Sequence, residues 1–109
     1  MTAKPVIPRE QARRDIDEAI AYYLAEGSAQ AALGFIDAVE QAFAHIGRHP
    51  GIGSPRYALE LNLPGLRSWP LPRYPALVFY VEREDHIDVW RVLNAQRDIP
   101  AWMQEPDPL

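Results

Sequence analysis

Two periodicities divide this chain. From Arg9 to Glu26 the apolar positions Ala12, Ile16, Ala19, Ile20, Tyr23 and Leu24 recur three and four apart, the spacing of one helix face. Ala32, Phe35, Ile36, Val39, Ala42, Phe43 and Ile46 repeat the pattern in a second stripe. Between them Gly27 suits a helix C-cap and Ser28 an N-cap, and Gly47, Pro50, Gly51 and Gly53 end the second helix. So short a turn between two amphipathic helices predicts an antiparallel helical hairpin.

After HPGIGSPR the period falls to two. Arg56 to Leu61 reads as the start of a strand, and Leu66 to Leu71 alternates with Arg67, Trp69 and Leu71 on one side. Pro70 and Pro72 confine that strand to a sheet edge or a bend. Leu77 to Glu82 places Leu77, Phe79 and Val81 on one face and Val78 and Tyr80 on the other. Arg83 to His86 forms a hairpin turn, and Ile87 to Leu93 returns antiparallel. Strict alternation there puts Ile87, Val89 and Leu93 together, with Asp88, Trp90 and Val92 opposite. Residues 3–7 can add a short first strand, held to an edge by Pro5, and Pro8 suits a helix start. Burying both apolar surfaces predicts an α+β fold, the helical hairpin on one face of a three- or four-stranded antiparallel sheet. Residues 1–109 are expected to form one domain, with a frayed tail over 104–109.

Composition narrows the chemistry. A chain of 109 residues, 48% of them apolar, is of ordinary single-domain size. No apolar run reaches bilayer-spanning length and the start lacks a secretory apolar stretch, which predicts a soluble, cytoplasmic protein with no membrane partner. The absence of cysteine removes disulfides and thiolate chemistry. A formal charge of −4 argues against general nucleic-acid binding. Ten of the eleven basic residues are arginine, Lys4 being the sole lysine. That bias suits bidentate contacts with carboxylate or phosphate, and equally reflects GC-rich coding.

The usual catalytic motifs are missing: no Gly-rich phosphate loop, no HExxH and no nucleophile-elbow serine. His45 and His49 sit four apart, but Gly47 intervenes and no third ligand lies nearby, so neither metal nor cofactor is expected. Asp15, Asp17 and Glu18 fall in the first turns of a helix, where acidic residues are favoured. Trp69, Trp90 and Tyr80 belong either to half-buried sheet faces or to a surface offered to a partner. What remains is a group of Arg and Tyr in the strand half: Arg67, Arg73, Tyr74, Tyr80, Arg91 and Arg97. It is either a solvated sheet face or a surface that grips an anionic or polar partner.

Several segments in order resemble the ParE branch of the RelE/ParE toxin superfamily of toxin–antitoxin and plasmid-stabilisation pairs. They are RRDIDEAIAYYLAEG running into AALGFIDAVEQAFAHIGRHPGIGSPR, then LPGLRSWPLPRYPALVFYVERED, then IDVWRVLNAQRDIP. The likeness runs from about residue 9 to 102. It implies a small toxin neutralised by a ParD-like antitoxin, with DNA gyrase the target of ParE-type members and ribosome-bound messenger RNA the substrate of RelE-type members.

Fold alone does not choose between these targets. RNA cleavage needs a base, an acid and cations on the phosphate. Where RelE-type chains often place a strand arginine, this one has Ala76 or Leu77. The gyrase reading is therefore preferred. It assigns no catalytic residue and makes Arg91, Asn94 and Arg97 part of the target-binding surface. Asn94 departs from the family, which commonly has His there, and Arg97 with Asp98 could instead tie the chain end to the sheet. The ribonuclease reading would use Arg67, Tyr80 and Arg91; a third reading is a degenerate antitoxin-binding module. Under every reading an antitoxin helix is expected to lie across exposed aromatic positions, for which Tyr22, Tyr23 and Trp69 are candidates.

Overall fold

The computed structural model describes residues 3–95, 99 and 103. Strand β1 (Val6–Pro8) leads into α1 (Glu10–Ala25) and α2 (Ala29–Arg48). A 3₁₀ turn at Pro50–Ile52 and a short helix α3 (Arg56–Leu61) follow. The chain then forms β2 (Leu66–Pro70), β3 (Ala76–Glu82) and β4 (Ile87–Asn94).

The helical hairpin forms as its capping residues dictate. Gly27 takes φ +81, where a side chain would be strained, and turns the chain back. Ser28 Oγ accepts the Ala31 amide at 3.0 Å and starts α2. Ala12, Phe35, Val39, Ala42 and Ile46 are buried against the sheet. Leu24, read as part of the first stripe, is instead 54% exposed, because it falls in the last turn of α1.

The sheet has the order β1-β4-β3-β2 and is mixed, not purely antiparallel. β2–β3 and β3–β4 are antiparallel, whereas β1 runs parallel to β4, with Val6 opposite Ile87 and Pro8 opposite Val89. A parallel neighbour needs no tight turn, so no local signal announces it. Pro8 ends the strand rather than starting the helix, and the Arg9 amide donates to Val89 O at 2.9 Å.

Two further differences matter for the site. Arg56–Leu61 is helical, not a strand. Its Ala, Leu and Glu content favours a helix, and Arg56 pairs with Glu60 one turn on at 3.2 Å. Tyr57, Ala58 and Leu61 cover the sheet face away from the hairpin, closing a second apolar cluster around Leu66, Phe79 and Leu93. Ile99 is buried in this cluster, and Met103 packs against it. Secondly, β4 carries a bulge: Phe79 pairs with Arg91 but Tyr80 pairs with Val89, so Trp90 is the extra residue. Beyond the bulge the faces exchange relative to strict alternation. Val92 joins Ile87 and Val89 beneath the hairpin, while Leu93 goes to the opposite face with Trp90.

Candidate functional site

Along its outer edge β4 first meets β1: the Ile87 amide donates to Pro5 O and Val89 O accepts from Arg9. β1 then stops, and a carboxylate from α1 takes over. Asp15 Oδ2 accepts the Val92 amide at 3.0 Å and Arg91 Nε at 2.8 Å, while Asp15 Oδ1 accepts Arg91 Nη2 at 2.9 Å. The side chains are 3% and 5% exposed, so this is a buried, bidentate pair. Asp15 thus ties α1 to the end of β4, a specific partnership beyond its favourable place near a helix N-terminus. The signal lay in the sequence: Asp15 interrupts the stripe of Ala12, Ile16 and Ala19.

A cleft of ≈ 480 Å³ opens beside this pair, between α1 and the ends of β3 and β4. Tyr22, Tyr23, Phe35 and Val92 supply its apolar walls, and Glu18 and Asn94 its polar ones. Tyr22 is 61% exposed and meets Tyr23 edge-on at 5.3 Å; Tyr23 in turn contacts Phe35 and Tyr74. Burial raises the pKa of the Tyr23 hydroxyl above the ordinary tyrosine value, and Tyr74 and Tyr22 add to it. With Asp15 paired to Arg91, Glu18 sets the sign of the charge among the described residues that line the cleft, none of which is a cation.

Arg67 and Tyr80 come together elsewhere. They are cross-strand neighbours in β2 and β3, and both reach the HPGIGSPR segment. The fully buried Tyr80 hydroxyl accepts the Gly53 amide at 2.9 Å and donates to Pro50 O at 2.8 Å. Arg67 Nη1 donates to Gly53 O at 2.7 Å. A Cβ at Gly53 would lie 2.6 Å from the Tyr80 hydroxyl, so glycine is required by this approach. Burial raises the Tyr80 pKa, opposed by Gly53 and by the Arg67 charge.

The sequence candidates are therefore distributed. Tyr22, Tyr23 and Asn94 share one cleft, and Arg91 lies behind it, 2% exposed and held by Asp15. Asn94 is exposed at the end of β4. Arg97 lies outside the described residues. Trp69 is half-buried in a separate cleft with His45, their rings 5.3 Å apart. His45 and His49 also stack edge-on at 5.3 Å. Among the described residues no group of three His, Cys, Asp or Glu is placed to hold a metal ion. No described helix is long and apolar enough to cross a membrane.

Comparison with known proteins agrees with this architecture. A chain of the chromosomal ParDE toxin–antitoxin system from P. aeruginosa superposes with a TM-score of 0.71. The match covers 84% of this chain and 96% of that one at 18% identity, a level that speaks for the fold. No curated protein matches in sequence. The family model for the ParE toxin of type II toxin–antitoxin systems, parDE, matches residues 6–99, from the first strand through all of β4. The chain belongs to the ParE toxin family of type II toxin–antitoxin systems.

Proposed function

We propose that this protein acts as a non-enzymatic poison of DNA gyrase and is held inactive by a ParD-like antitoxin. The observation that carries this reading is the employment of the side chains a RelE-like ribonuclease would need. Arg91 is committed to Asp15, and Tyr80 and Arg67 are committed to the Gly53 turn. A base, an acid and a phosphate-binding cation must converge on one open site to cleave RNA. These three are spread over two structural knots, which favours binding over catalysis.

A poison of this kind works by differential affinity: gripping one conformation of its target raises the population of that state. Arg91, Asn94 and Arg97 are the residues this reading assigns to the target surface, with Arg91 supporting the end of β4 from within. The aromatic cleft of Tyr22 and Tyr23 suits the apolar face of an antitoxin helix, with Trp69 a second contact. Action on gyrase in the cytoplasm and stabilisation of a plasmid belong to the same reading.

Pulse labelling after induction without antitoxin tests it. Thymidine incorporation should fall before methionine incorporation, and purified protein should inhibit gyrase supercoiling. Early collapse of methionine incorporation, with cuts in ribosome-bound messenger RNA, would replace this reading with the ribonuclease one. Normal growth on induction would leave the degenerate antitoxin-binding module.

A further inference from the structure

A second cleft, of ≈ 500 Å³, lies between the last turns of α2 and the segment that follows Trp69. Gln41, Ala44, His45 and Arg48 recur three and four apart and so share one face of α2; Trp69 and Pro70 stand opposite. Its charge is the reverse of the first cleft's. Among the described residues Arg48 lines it and no carboxylate does, whereas Asp15 and Glu18 line the first cleft and no described cation does. Arg48 is exposed and makes no ion pair among the described residues. The carbonyl end of α2 offsets part of the charge. Even so, this is an exposed cation beside a half-buried indole, on a chain of formal charge −4.

The adjoining strand edge limits how an occupant can dock. The Ser68 amide and carbonyl are taken by Ser54 at 3.0 and 2.8 Å, and the Leu66 amide by Leu63 at 3.2 Å. Pro70 has no amide hydrogen to give. A partner therefore cannot add to β2 as a further strand and must dock through side chains. One exposed arginine is also too little to track a phosphate backbone.

We propose that this cleft receives an acidic segment of the antitoxin, a carboxylate meeting Arg48 and an aliphatic or aromatic side chain resting on Trp69. The inference rests on the antitoxin reading above and adds the chemistry of the contact. The two clefts then demand opposite charges from the two stretches of antitoxin that fill them. A reversed docking would set an acidic stretch against Glu18, which fixes orientation as well as affinity.

The test measures association and dissociation rates of the adjacent gene's antitoxin with the parent toxin and with Arg48→Glu, Arg48→Lys and Trp69→Leu, each checked for its fold by circular dichroism. At about 50 mM salt Arg48→Glu should slow association about tenfold, and the gap should close near 500 mM as the charge is screened. Arg48→Lys should match the parent, and Trp69→Leu should speed dissociation. Equal rates for Arg48→Glu and the parent would overturn the inference and leave the antitoxin reading standing. No binding of the antitoxin to the parent would overturn both. A short single-stranded oligothymidylate serves as the competing probe. Its binding to the parent and loss in Arg48→Glu, with antitoxin rates unchanged, would assign the cleft to nucleic acid and overturn the inference.

Discussion

Replacing Asp15 by alanine removes four hydrogen bonds at once: two from Arg91, one from the Val92 amide and a long one, 3.5 Å, from Gln11 Nε2. Arg91, 2% exposed, then loses the carboxylate that accepts from its Nε and Nη2. Breaking a buried pair from one side costs about 3–5 kcal/mol, chiefly because the surviving charge is uncompensated. An unsatisfied buried amide costs about 1–3 kcal/mol on its own, and the two effects overlap because one carboxylate serves both. Against a total stability of roughly 5–15 kcal/mol, Asp15→Ala should remove a third or more of what holds the fold together. In urea, with a slope of about 2 kcal/mol per molar, the midpoint should fall by about 2 M. The double variant Asp15→Leu, Arg91→Met removes both charges and should recover most of the loss, since apolar replacement of a buried pair is often neutral or stabilising. A loss under about 1 kcal/mol in Asp15→Ala, at unchanged slope, would refute the assignment of this pair as the tie between α1 and the end of β4.

Two other perturbations test neighbouring parts. Burial alone would raise the Asp88 pKa, but hydrogen bonds from Arg9, Trp90 and Arg83 outweigh it and hold the pKa below the ordinary carboxylate value. A depressed folded pKa gives stability that is fully present above the unfolded value of about 3.9 and is lost as pH falls through the folded one. Acid titration of stability should therefore be shallower below about pH 4 in Asp88→Asn than in the parent, and an unchanged slope would count against the cluster. At the 3₁₀ turn, Tyr80→Phe strands the Gly53 amide and should cost about 1–3 kcal/mol by thermal or urea unfolding. Gly53→Ala should cost at least as much, because its Cβ would also lie 3.0 Å from Ser68 O; a neutral result for both would show that the turn is held by other contacts.

Periodicity read along the chain determined the helical hairpin, the positions of β2, β3 and β4, and the two faces of β3. These are local properties: a helix or strand shows its buried face through its own spacing, and Gly27 and Ser28 mark a turn through their own backbone and side-chain chemistry. Tertiary structure alone decided the parallel partnership of β1 with β4, because no connecting turn records it. It also decided the bulge at Trp90, which exchanges Val92 and Leu93 between faces and is marked by no glycine or other special residue in the strand. The six residues of α3 fit either period, and the otherwise uncovered sheet face that they close selects the helix. The candidate site followed the same division. Tyr22, Tyr23 and Asn94 were visible as side chains able to meet a partner, yet the link between Asp15 and Arg91 joins residues 76 positions apart. Neither residue alone reveals its role. The pair acquires one only when folding carries both out of water, where each charge is tolerable because the other is there.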